Sequence, residues 1–241
     1  MQLVKNLARY IDHTLLKPEA SLKHIEKLCA EARDHDFYAV CVNGSWVAQA
    51  RHFLDGSHVK VATVVGFPLG ASDSDTKRFE TEAAIDNDAQ EIDAVINIGR
   101  LKDGDDEYVL RELRDVVEAA AERPVKVIIE TCLLASAEKI RACRIVLDAG
   151  AQFIKTSTGF STGGATVEDV KLLREIVGEK FGVKAAGGIR DVQTALAMLE
   201  AGATRLGTSS GVAIVRSMPS AEAVGYLTFA EAATRVVAGN L

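Results

Sequence analysis

LDAGAQFIKTS, residues 147–157, is echoed 52 positions later by LEAGATRLGTS, residues 199–209. Each copy runs from a helical end through an Ala-Gly pair into a short apolar stretch closed by Thr-Ser. The Ala-Gly pairs sit where a helix stops at a left-handed residue, and the apolar stretch after each reads as a short buried strand. The offset spans two strand–helix units, so these are alternate strands, the sixth and the eighth, and alternate strands fill the same layers of a closed barrel. Chance similarity between two helix ends is the competing explanation. One position breaks the echo: Lys155 stands where the second copy has Gly207.

Working outward, strand and helix patterns alternate along the whole chain. The strand candidates are YAVCVN (38–43), VKVATVVG (59–66), EIDAVINI (91–98), VKVIIET (125–131), AQFIKT (151–156), VKAAG (183–187) and TRLGT (204–208), with a shorter one in RYIDHT (9–14). They are rich in Val and Ile with little polar alternation, as strands covered on both faces of a parallel sheet are. Between them Leu22, Ile25, Cys29 and Ala32 share a helical face, as do Val109, Leu113, Val116 and Ala120, and Val192, Ala195, Leu196 and Leu199. Ser72 with Asp75, and Ser136 with Lys139, occupy helix-start positions. No stretch has linker composition. Eight units in this length predict one closed (β/α)8 TIM barrel, a single domain over residues 1–241 with residues 219–241 as a C-terminal tail or helix.

Composition narrows the function classes. The 241 residues are 48% hydrophobic and 26% charged, ordinary globular values. A formal net charge of −6, with no dense Lys/Arg block, argues against a nucleic-acid partner. MQLVKNLARY lacks a signal peptide's pattern and no apolar run approaches a membrane span of about 18 residues, so a cytoplasmic protein is expected. The cysteines at 29, 41, 132 and 143 have no metal-knuckle spacing and read as small buried hydrophobes. His13, His24, His35, His52 and His58 show no ligand spacing, and neither a metal nor a cofactor is expected. Trp46 and Phe53 read as packing residues.

Active sites of such barrels lie at the C-terminal ends of the strands. The polar residues there are Asp12, Asn43, Asp93, Asn97, Glu130, Lys155 and Lys184. Two lysines on neighbouring strands invite chemistry. At about 4 Å and an effective dielectric near 20, two ammonium groups repel by roughly 4 kcal/mol, about three pKa units. A lysine so depressed is partly neutral at pH 7 and can attack a carbonyl to form a Schiff base. The bland alternative is that one lysine snorkels out of the mouth to pair with Glu130 or Asp93. Asp93 reads as a lysine's partner or as a proton-relay member. Asp12 is more ambiguous, and capping or hydrogen-bonding the first strand's own loop would account for it.

An anion site is expected beside the lysines. AAGGIRD (185–191) places Gly187 and Gly188 after the seventh strand and opens a helix at Arg190. GTSSGVAIV (207–215) places Ser209 and Ser210 after the eighth, again opening a short helix. Exposed N–H groups in these two loops are the usual phosphate cradle of the fold. STGFSTGG (157–164) adds further glycines and hydroxyls.

Together these residues resemble the deoxyribose-phosphate aldolase family, whose members are Schiff-base aldolases on a (β/α)8 barrel. The resemblance runs from IDHTLLKP (11–18) through VCVN (40–43), VVGFPLG (64–70), EIDAVINIG (91–99), VKVIIET (125–131), FIKTSTGF (153–160) and VKAAGGIRD (183–191) to LGTSSG (206–211). It implies that Lys155 forms the Schiff base while Asp93 and Lys184 move protons. It implies that Gly159, Gly187, Gly188, Arg190, Ser209 and Ser210 surround the substrate phosphate. The implied reaction is reversible cleavage of 2-deoxy-D-ribose 5-phosphate to D-glyceraldehyde 3-phosphate and acetaldehyde, without cofactor or metal. Phe160 departs from a lysine found in some members, and the chain continues past Tyr226 where some end in a terminal tyrosine. Another Schiff-base aldolase or transaldolase-type enzyme, and a silent sugar-phosphate-binding barrel, are the alternatives. Assembly into a homo-oligomer is left open by the sequence.

Overall fold

The computed structural model describes residues 6–218. The expected tail and Tyr226 lie outside the described residues. Eight parallel strands close on one another in chain order: β1 (Ile11–Leu15), β2 (Ala39–Val42), β3 (Lys60–Val65), β4 (Glu91–Val95), β5 (Val125–Ile128), β6 (Phe153–Lys155), β7 (Gly182–Ala186) and β8 (Arg205–Thr208). The ring is closed by β1 on β8, with Ile11 opposite Leu206 and Asp12 opposite Gly207. The TIM barrel expected from the strand–helix alternation is therefore present, and the two echoed segments do form β6 and β8.

Around the barrel run α1 (Leu22–Asp34), α2 (Val47–Phe53), α3 (Ser74–Asp86), the short α4 (Ile98–Lys102), α5 (Asp106–Ala119), α6 (Ser136–Asp148), α7 (Val167–Val177), α8 (Val192–Glu200) and α9 (Gly211–Arg216). Their starts differ slightly from the expected ones. Asp73, not Ser72, caps α3, accepting from the Thr76 N–H at 2.9 Å. Helix α8 begins at Val192 behind an Asp191 cap, two residues beyond Arg190. An aspartate accepts a bond from the N–H three residues on and so fixes each start. Gly150 and Gly202 do adopt positive φ, at 80° and 111°, where the Ala-Gly pairs end α6 and α8.

Strand side chains divide by period two. Val40, Val42, Val61, Ile92, Val127, Ile154, Val183 and Leu206 join the helix faces in one continuous core. The opposite set points into the barrel. On β2 and β3 it is apolar, with Cys41, Ala62 and Val64 packed with Leu16 under Phe67; charged side chains enter from the other strands, including Asp12 on β1, Asp93 on β4, Lys126 on β5, Lys155 on β6, Lys184 on β7 and Arg205 on β8. Outside the barrel interior, a second buried charge pair fixes the loop after β3. Lys77 on α3 pairs with Glu112 on α5 at 2.8 Å and donates to the carbonyls of Gly70 and Val95, each at 2.8 Å. Cys29, Cys41 and Cys143 are buried as expected, but Cys132 is exposed, because a 3-10 turn (Thr131–Leu133) leaves the barrel there.

Candidate active site

Strand register gathers the charged side chains. Asp93 lies opposite Lys126 across β4 and β5, and Lys155 lies opposite Lys184 across β6 and β7. Asp93 is fully buried, and three amines reach it: Lys126 at 2.8 Å on Oδ1, and Lys155 at 2.8 Å and Lys184 at 2.7 Å on Oδ2. The Lys184 amine also bonds Asp12 Oδ2 on β1, with β8 between the two strands. Asp12 in turn accepts from Arg205 at 3.0 Å. Arg205 and Lys126 both pair with Glu91 Oε2, at 3.1 and 2.6 Å. The Arg205 guanidinium stacks on the Tyr38 ring, 3.4 Å from its centroid.

Several sequence expectations meet their outcome here. Neither lysine snorkels: Lys155 is 3% exposed and Lys184 is 0% exposed. Glu130 partners neither of them; its carboxylate accepts from the Thr158 N–H and hydroxyl in the loop after β6. Asp12 is no loop cap, because it is fully buried between Lys184 and Arg205. Asn43 and Asn97 are structural, Asn43 donating to the Leu16 carbonyl and Asn97 capping α4. His13 is buried with Nε2 at 2.8 Å from Glu31, on α1.

The electrostatics separate the two central lysines. Burial depresses the Lys155 amine, Asp93 opposes that, and the Lys184 charge depresses it further. Mutual repulsion, the leading cause expected from the sequence, is thus second to desolvation among the lowering effects. Lys184 goes the other way: burial would lower it, but Asp12 and Asp93 hold it above its ordinary value. Lys126 is likewise raised against burial by Asp93 and Glu91. Burial would raise both aspartates, yet the cations win. Lys184 and Arg205 hold Asp12 down to about 2, and the three lysines hold Asp93 well below the carboxylate range. An amine depressed by burial beside a second amine that holds its proton more tightly is the arrangement a carbonyl-attacking lysine needs.

The loops after β6, β7 and β8 are knitted together above these lysines. Gly159, Gly187 and Gly188 take positive φ values of 84°, 86° and 80°, a turn conformation that glycine adopts without strain. The two β6 and β7 loops touch: the Ala165 N–H donates to the carbonyls of Ala186 and Gly187, and a Cβ on Gly164 would stand 2.3 Å from the Gly187 oxygen. Thr208 Oγ1 donates to the Ile189 carbonyl at 2.6 Å and accepts from the Ser210 N–H at 2.9 Å, tying the β8 loop to its neighbour. Ser209 and Arg190 are exposed at this rim, and Ser210 is half-buried. Ser157 Oγ is buried without a protein partner. Phe160 is 51% exposed and sets its ring edge against Phe67, 5.3 Å between centroids.

Sequence reasoning missed Glu91, Lys126 and Arg205. The first sits two residues before Asp93, on the same strand face, and Arg205 sits two before Gly207. Polar residues at even spacing inside apolar strands were the available signal.

A family model described as DeoC/LacD family aldolase matches residues 7–218. The protein named deoxyribose-phosphate aldolase from Geobacillus sp. (strain WCH70) is 59% identical over 211 residues, covering 87% of this chain and 95% of that one. Its namesake from Alkaliphilus oremlandii (strain OhILAs) is 60% identical over 211 residues, covering 87% and 95%. Among solved structures, QR15, an aldolase, superposes with a TM-score of 0.85 at 41% identity, covering 88% of this chain and 95% of its own. The tetrameric deoxyribose phosphate aldolase from Aeropyrum pernix does so with a TM-score of 0.83 at 33% identity, covering 88% and 90%.

Proposed function

The chain belongs to the DeoC/LacD aldolase family, and on that premise we propose that Lys155 is the amine through which it works. The protein is a deoxyribose-phosphate aldolase, a lyase that reversibly cleaves 2-deoxy-D-ribose 5-phosphate to D-glyceraldehyde 3-phosphate and acetaldehyde. The observation that carries the assignment of the amine is an asymmetry. Among the described residues, Lys184 has two carboxylates in reach, whereas Lys155 has only the Asp93 oxygen it shares with Lys184.

Neutral Lys155 adds to C1 of the open-chain sugar. Cationic Lys184 protonates the departing hydroxyl, which leaves as water, and an iminium forms on Lys155. Lys184 is now neutral, and it takes the C3 hydroxyl proton, with Asp93 orienting it, as the C2–C3 bond breaks. The bond's electrons flow into the iminium, giving an enamine of acetaldehyde and free glyceraldehyde phosphate. Lys184 returns its proton to the enamine carbon. Water then adds to the iminium, passes a proton to Lys184, and acetaldehyde leaves. One positive charge moves between two neighbouring nitrogens throughout, so the buried cluster keeps the same net charge at each stage.

Gly159, Gly187, Gly188, Arg190, Ser209 and Ser210 are assigned to the phosphate. Backbone N–H groups of glycine-rich loops, with one guanidinium and two hydroxyls, suit a dianion. Holding that remote end turns its binding into orientation at the reacting carbon. The test is borohydride trapping of the acetaldehyde adduct followed by peptide mass mapping. The adduct is expected on Lys155; labelling elsewhere would falsify the assignment. A cytoplasmic homo-oligomer is part of the same reading. It is supported by the tetrameric Aeropyrum pernix relative and tested by light scattering and cell fractionation. Among the described residues no helix is long and apolar enough to cross a membrane.

A further inference from the structure

The buried charges form a closed circuit. Arg205 pairs with Asp12, Asp12 with Lys184, Lys184 with Asp93, Asp93 with Lys126, Lys126 with Glu91, and Glu91 again with Arg205. Cations and anions alternate around it, three of each. Lys155 is the seventh group, attached to the circuit only through Asp93 Oδ2. We propose that Glu91 and Arg205, which lie at the strand starts away from the reacting carbon, are positioning residues that complete this circuit and thereby make Lys155 the cation in excess. Three carboxylates match three cations. A fourth ammonium in the same buried interior has, among the described residues, no counter-charge of its own.

Distance alone does not select Lys155, because Lys126, Lys155 and Lys184 all lie within 2.8 Å of Asp93. What separates them is a second carboxylate. Lys126 has Glu91 and Lys184 has Asp12, while among the described residues Lys155 has none. Arg205 matters because it accepts part of the charge of both those carboxylates. Its guanidinium is fixed between the Tyr38 and Phe153 rings, 3.4 and 5.3 Å from their centroids. The other groups around Lys155 do not alter the balance. Burial pushes the Cys41 thiol on β2 up to about 11, so it stays uncharged. β3 contributes Ala62 and Val64, and Glu130 on the β5 loop is turned to Thr158.

The inference rests on Lys155 being the reacting amine, and it has a signed consequence. Removing a negative charge with Glu91→Gln disfavours protonated Lys155 further. Removing a positive charge with Arg205→Met favours it. The rate of borohydride-trapped acetaldehyde incorporation should therefore move its acid limb down in pH for the first variant and up for the second. Each shift should be about one pH unit, as for a unit charge lost a few links away at an effective dielectric near 20. The double variant, again balanced, should return to within a few tenths of a unit of the parent. Circular dichroism and thermal melts identify which variants fold, and if Arg205→Met does not, the direction for Glu91→Gln decides alone. Shifts of the same sign, or none in folded variants, overturn the proposal. Mass mapping of the parent keeps the two failures apart: an adduct on another residue defeats the assignment of Lys155, whereas an adduct on Lys155 without opposed shifts defeats only the role of the circuit.

Discussion

Lys155 and Lys184 stand directly opposite each other on β6 and β7, and both amines reach the same oxygen, Asp93 Oδ2, at 2.8 and 2.7 Å. Two ammonium groups on one buried carboxylate oxygen repel strongly at low dielectric. The contest is decided by Asp12, which bonds Lys184 alone. Lys184 is held above its ordinary value and Lys155 below it.

Lys184→Leu removes the cation beside Lys155 and the proton carrier together. The Lys155 amine should then titrate higher, so the acid limb of kcat/KM moves to higher pH. Turnover at neutral pH should fall by about a thousandfold or more. A pH–rate profile of the variant checks both, and an unmoved limb would count against repulsion as a cause.

Lys155→Met should abolish trapping without lowering stability. The folded amine is depressed below its ordinary 10.5, so at neutral pH the unfolded chain binds a proton that the folded one resists. That penalty is full below the folded value and vanishes as pH rises through 10.5. The variant's Tm should equal or exceed the parent's at pH 7, and the gap should close on the alkaline side. A lower Tm across the range would show that the amine is held charged.

Acid should unfold the protein within a definable window. Asp12 falls from 3.8 to about 2 on folding, so its contribution is complete above the unfolded value and is lost as pH drops through the folded one. It amounts to about 2 kcal/mol between roughly pH 4 and pH 2. Asp12→Asn should lose about 3–5 kcal/mol at neutral pH, because Lys184 and Arg205 lose a counter-charge. It should also show a shallower decline in that acid window. Denaturant midpoints at several pH values measure both slopes, and equal slopes would refute the linkage.

Gly164→Ala should act on substrate affinity. The added methyl would meet the Gly187 oxygen at 2.3 Å, forcing the loops after β6 and β7 apart. KM for the phosphorylated sugar should rise by about tenfold or more, with a smaller change in kcat. If KM is unchanged in a folded variant, these loops do not hold the phosphate.

Much of this was readable beforehand. The Ala-Gly pairs ending α6 and α8 gave the repeat, and the repeat gave a closed sheet with Lys155 on its inner face. Lys184 was visible because a lysine inside an apolar strand has few uses. Lys126 had the same appearance in VKVIIET, but its meaning depends on which residue lies opposite, and register is a property of the paired strands. Arg205 and Glu91 are joined from β8 and β4, 114 residues apart; nothing local couples them. The exposure of Cys132 depended on a turn after β5 that an apolar run does not announce.

Gly207 has the last consequence. A methyl there would lie 3.1 Å from the Lys184 Cε and 3.0 Å from the Ala186 Cβ. The position that mirrors Lys155 is thus empty for a reason: its vacancy is the berth in which the neighbouring lysine's stem lies. A barrel with amines at both mirrored places would have no room for its proton carrier, so the twin segments had to diverge, one supplying a reagent and the other supplying space.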